Sequence, residues 1–61
     1  MLKLSDILIE EFELSSYADL KEIIVKRARA GARFLEIDVK PPYKDTPANW
    51  EVDLENTFTS A

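Results

Sequence analysis

Cysteine and histidine are both absent from the 61 residues, and glycine occurs once. Without cysteine there is no disulfide and no thiolate metal site. Without histidine the commonest metal ligand and proton shuttle is missing, and no Ser/His/Asp set can be assembled. One glycine is too few for a glycine-rich phosphate loop. No run of eighteen apolar residues exists, so no membrane-spanning helix is expected. The opening Met1-Leu2-Lys3-Leu4-Ser5-Asp6 carries an early acid and no small-residue cleavage site, which argues against a signal peptide. Basic charge is short as well. Eight Lys and Arg face twelve Asp and Glu, for a net charge of -4, whereas a simple nucleic-acid binder needs clustered cations. The lack of cysteine fits an intracellular protein, and a cytoplasmic location is expected.

What is present is a chain with 46% hydrophobic residues, the composition of a folded globule. At this length residues 1–61 make one small domain with a thin core, so a second copy or a partner is a natural way to complete it. The strongest pattern is Phe34-Leu35-Glu36-Ile37-Asp38-Val39-Lys40, in which Leu35, Ile37 and Val39 alternate with Glu36, Asp38 and Lys40. Trp50-Glu51-Val52-Asp53-Leu54-Glu55 repeats the alternation, with Trp50, Val52 and Leu54 inward. Period-2 alternation is the mark of a half-buried strand. The two runs read as a hairpin with an apolar floor and an acidic roof, joined by residues 40–49, whose Pro41, Pro42 and Pro47 keep the connection stiff.

Residues 16–30 predict a helix. Ser16 and Asp19 have capping-box spacing, acids come early, and Lys26, Arg27 and Arg29 come late, as the helix dipole favours. Tyr17, Leu20, Ile24 and Ala28 make the buried stripe, and Gly31 stands where a left-handed residue would end the helix. Residues 4–14 admit two readings. As a helix capped by Ser5, Leu4, Ile7, Leu8 and Phe12 form a stripe. As a strand, Leu8, Phe12 and Leu14 share one face, and the β-branched Ile7 and Ile9 with the Phe12-Glu13-Leu14 alternation favour this reading. Residues 57–61 read as a frayed tail. The expected fold is therefore α+β: a βαββ domain with one helix on a three-stranded, largely antiparallel sheet, or, if residues 4–14 are helical, two helices on a hairpin.

On that fold Glu36, Asp38, Glu51, Asp53 and Glu55 share the outer sheet face, joined by Glu11 and Glu13 if the first segment is a strand. Carboxylates there recur about every 6.6 Å along a strand and crowd their neighbours, a cost without return unless a partner is met. The block from Lys26 to Arg33 is explained by dipole complementarity, except that Arg27 falls within the apolar stripe and either snorkels or reaches a partner. Tyr43 is a candidate aromatic anchor in the proline-rich loop, while Trp50 heads the core row. No EF-hand spacing is present, and no metal or cofactor is expected.

These residues point to a small acidic non-enzymatic binding protein that meets a basic site on another protein, such as one that handles nucleic acid. In size, charge and strand–helix–strand layout the chain resembles the small acidic inhibitors made by bacteriophages, some of which mimic DNA. The resemblance implies an inhibitor or modulator acting in a host cytoplasm. The rival expectation is a structural homodimer that pairs through a sheet edge or through Ile7, Ile9 and Phe58. A third is weak nucleic-acid binding by Lys26, Arg27, Arg29 and Arg33.

Overall fold

The computed structural model describes residues 2–11 and 13–61. Its elements run β1 (Leu2–Lys3), α1 (Leu4–Glu10), α2 (Tyr17–Arg29), β2 (Leu35–Glu36) and α3 (Trp50–Ser60). The two short strands pair in parallel, Leu2 opposite Leu35 and Lys3 opposite Glu36, with α1 and α2 forming the connection between them.

The expected βαββ sheet is not formed, and neither is the alternative of two helices on a hairpin. The described residues form three helices and one two-stranded parallel sheet. The error has a physical source in each segment. In residues 4–10, Leu4 and Ile7 are both fully buried. Two residues three apart share a helix face but point to opposite sides of a strand, so the core selects the helical option. Phe12, which the alternation placed on a strand, lies outside the described residues. In residues 50–60 the core takes Trp50, Leu54 and Phe58, spaced at i, i+4 and i+8, whereas Val52 is 58% exposed. Trp50, Leu54 and Phe58 satisfy a period of 2 and a period of 3.6 alike, and only Val52 separates the two, inward on a strand and outward on a helix. Thr57 to Ser60, expected as a tail, form the last turn of α3.

Helix α2 follows the sequence signals closely. Ser16 is its N-cap and accepts the Asp19 N–H at 3.1 Å. The Asp19 carboxylate accepts in turn from the Ser15 N–H and hydroxyl, one residue earlier than a capping box would have it. At the other end the Ala32 N–H reaches the Arg27 carbonyl and the Gly31 N–H the Ala28 carbonyl. These are the two bonds of a Schellman motif, and Gly31 at φ +114 supplies the positive dihedral it needs.

Leu2, Leu4, Ile7, Tyr17, Leu20, Ile24 and Leu54 form the core, so β1 and all three helices each contribute to it. Leu8, Leu14, Ile23, Tyr43, Trp50 and Phe58 pack around its edge.

Candidate interaction surface

Without a three-stranded sheet there is no acidic sheet face, and the carboxylates assigned to it go to different places. Asp38 leaves β2 and caps α1. Its Oδ1 accepts the Ser5 N–H at 3.1 Å and its Oδ2 the Ser5 hydroxyl at 2.6 Å, across 33 residues of sequence. The N-cap position itself is Lys3, which supplies no side-chain acceptor, so Asp38 satisfies an amide the local sequence leaves open. These hydrogen bonds hold the Asp38 carboxyl below the usual carboxylate range.

Asp53 lies between α2 and α3. The Tyr17 hydroxyl donates to its Oδ2 at 2.8 Å, and Lys21 Nζ approaches the same oxygen at 3.1 Å. The Tyr17 hydroxyl bond, and then Lys21, hold the Asp53 carboxyl low. Burial and the bond to this anion push the Tyr17 phenol up, so it stays a donor throughout the ordinary pH range. A further carboxylate, Asp45 in the proline-rich loop, accepts the Tyr17 N–H at 2.8 Å and closes the first turn of α2 from outside the helix.

Glu36 faces Lys3 across the two strands at 3.9 Å. Glu11 pairs with Arg27, whose guanidinium lies 3.5 Å from Glu11 and 3.4 Å from Glu10. Helix α1 ends in acids with no base of its own in the last turn, so Arg27 of α2 supplies the cation its dipole favours there. Arg27 thus holds α1 to α2. Tyr43 packs half-buried against the core, and burial pushes its phenol up. Glu13 is exposed in the turn after α1.

Glu51 and Glu55 remain. They stand one turn apart on α3, exposed, flanking the stripe of Trp50, Leu54 and Phe58 on the Phe58 side. Val52 lies farther round the helix, beyond Glu55 and opposite Leu54, also outward. Among the described residues neither carboxylate takes part in an ion pair or a hydrogen bond. Of the nine residues singled out from the sequence, these two alone share one outward helix face.

The wider charge pattern follows the same division. Among the described residues, Glu10, Glu11, Asp19, Glu36, Asp38, Asp45 and Asp53 are engaged within the chain, but only Lys3, Lys21 and Arg27 among the bases. The excess of acid is therefore engaged at the surface by contacts within the chain, at helix ends, between helices and across the strands. The charges left outward are balanced in number between acid and base.

Two concavities accompany this surface. A groove of about 350 Å³ between α2 and α3 is lined by Lys21, Glu22, Val25, Lys26, Arg29 and Thr57. A cleft of about 250 Å³ at the far end of α3 is lined by Arg33, Phe34, Leu35, Glu55, Phe58 and Thr59. Sequence reasoning missed Val52, which it placed in the core, and Phe34, which it left unassigned. The alternation held a signal for Phe34, since it stands in phase with outward Glu36 rather than with Leu35. No signal marked Val52, because it fits the inward row of a strand.

No group of three or more acidic, histidine or cysteine side chains placed to hold a metal occurs among the described residues. No helix among them is long and apolar enough to cross a membrane. No family model, no curated protein and no solved structure matches this chain.

Proposed function

We propose that the chain is a small non-enzymatic binding protein of inhibitor or modulator type, and that it meets a basic surface of another protein through the outward face of α3. The observation that carries this reading is Val52, an apolar side chain 58% exposed beside two carboxylates that the fold does not use. Glu51 and Glu55 are like charges at i and i+4, an arrangement that costs an isolated helix about 0.2–0.5 kcal/mol. A cation placed across both of them would remove that cost. The opposite side of α3 is anchored by fully buried Leu54, so the face is presented on a rigid element, which limits the entropy lost on binding. Long rows of carboxylates of the kind a DNA mimic displays are not what supports the reading. An apolar contact flanked on one side by two acids is, and it fits a protein patch with basic residues beside a shallow apolar centre.

The test compares the parent chain with Glu51→Gln/Val52→Ser. Both are immobilised and exposed to a candidate host lysate, and the retained proteins are identified by mass spectrometry. The expected result is one or more basic proteins retained by the parent and lost by the variant, with association slowing as salt is raised and thermal melts alike for the two chains. Equal retention by parent and variant would remove α3 as the contact.

A further inference from the structure

The cleft at the far end of α3 carries an inference that does not rest on the α3 reading. We infer that two copies of this chain pair across the free edge of β2, the exposed Phe34 of each entering the cleft formed by Leu35, Phe58 and Thr59 of the other.

The strand geometry supplies the edge. β2 pairs with β1 in parallel with Leu2 opposite Leu35, and the Leu2 N–H donates to the Phe34 carbonyl at 2.9 Å. In a parallel ladder a residue bonds to the neighbours of its opposite number. Phe34 and Glu36 therefore face β1, and the amide and carbonyl of Leu35 point the other way. Among the described residues no backbone group meets them. An unpaired edge of this kind is a ready template for another strand.

The side chains around the edge supply the choice of occupant. Phe34 is 67% exposed, the largest apolar side chain so placed among the described residues. It stands beside a cleft of about 250 Å³ whose walls include Leu35 and the half-buried Phe58. The rim carries Arg33 and Glu55, opposite charges with no ion pair among the described residues. A two-fold interface requires each patch to be its own complement. This patch holds both halves of each contact: an aromatic to insert and a cleft to receive it, a cation and an anion. An unrelated partner would need only one half of each.

Sedimentation equilibrium from micromolar to millimolar chain tests the pairing. The parent should move from the 7.0 kDa of one chain towards twice that mass with rising concentration. Phe34→Ala should raise the dissociation constant about thirtyfold or more, the effect of removing a buried aromatic anchor. Arg33→Glu alone and Glu55→Arg alone should each weaken pairing, because each places like charges opposite one another at both ends of the two-fold. An equal mixture of those two variants should pair again, since every contact then joins opposite charges. This restoration decides the matter even if Phe34→Ala loses its fold. A parent that stays at one chain throughout, a folded Phe34→Ala that pairs like the parent, or a mixture that stays monomeric would each overturn the inference. Retention of a basic partner by a monomeric chain would leave the α3 reading standing on its own, and the Glu51→Gln/Val52→Ser variant, which leaves Phe34, Arg33 and the shared Glu55 untouched, keeps the two questions separate.

Discussion

Helices α2 and α3 lie against each other, yet their ends are held in different ways. Helix α2 begins at Ser16, whose hydroxyl accepts the Asp19 amide, and it ends in three bases and a Schellman turn at Gly31. Helix α3 begins at Asn49, which makes no side-chain cap, and it has no base in its last turn. Its Thr57 and Thr59 hydroxyls donate back to the carbonyls of Asp53 and Glu55, a local bond that does little for a helix. Helices of this length are marginal on their own. The first therefore carries its own instructions, and the second is helical because Trp50, Leu54 and Phe58 have a core to reach.

The comparison breaks first at Leu54 and Val52. As inward residues of a strand the two would be equivalent. On α3 Leu54 is fully buried and Val52 largely exposed. Leu54→Ala should cost about 3 kcal/mol, within the usual range for a buried leucine, and in so small a domain that is a large part of the total stability. Val52→Ala should stay within about 0.5 kcal/mol of the parent. Urea unfolding of both variants measures the difference, and equal losses would return residues 50–55 to a strand.

The same contrast explains what could be read from the sequence. The cap at Ser16, the late bases and Gly31 act on their near neighbours in the chain, so α2 was legible almost to the residue. In α1 the cap is Asp38, 33 residues away, and nothing near Ser5 announces it. Alternation placed Asp38 outward on a strand, when its role is to hold the start of another element. Asp53 was misplaced for a similar reason. As a strand residue it faces solvent, but on α3 it meets Tyr17 and Lys21. Local periodicity over five or six residues did not separate a helix from a strand, and the carboxylates' roles depended on that choice. Glu51 and Glu55 kept an outward position under either reading, which is why they alone passed from the expected site to the observed one.

A smaller effect is expected at Gly31, where the instruction is local. Its φ of +114 is strained for a residue with a Cβ, while a Cβ there would meet no other atom within 4 Å. The cost of Gly31→Ala is then backbone strain alone, about 1 kcal/mol, and Gly31→Asn should recover part of it. Chemical denaturation of the three chains ranks them. A Gly31→Ala variant as stable as the parent would mean that α2 ends without the turn, and the contrast with α3 would weaken accordingly.

The smallest effect concerns α1, whose start is held by a distant charge. Asp38 is ionised more readily in the folded chain than in the unfolded one, because the Ser5 amide and hydroxyl both donate to its carboxylate. Its contribution to stability is present above the ordinary carboxylate pKa, about 4, and is lost as the pH falls through the lower folded value. Asp53 shifts in the same direction, so the parent should lose stability on its acid limb at both sites. Asp38→Asn keeps an oxygen to accept from Ser5 but removes the charge. At neutral pH the variant should therefore be slightly less stable than the parent. The gap should close as the solution is acidified and the parent's own Asp38 takes up a proton. Hydrogen exchange should locate the change: faster at the Ser5 and Asp6 amides, unaltered through the middle of α2. Asp53→Asn serves as the control, since it removes an anion of the same kind from the contact between α2 and α3 and should leave Ser5 protected. A gap between parent and Asp38→Asn that persists unchanged below the carboxylate range would mean that the amide group itself disturbs the loop, and that α1 does not depend on the charge of Asp38 for its start.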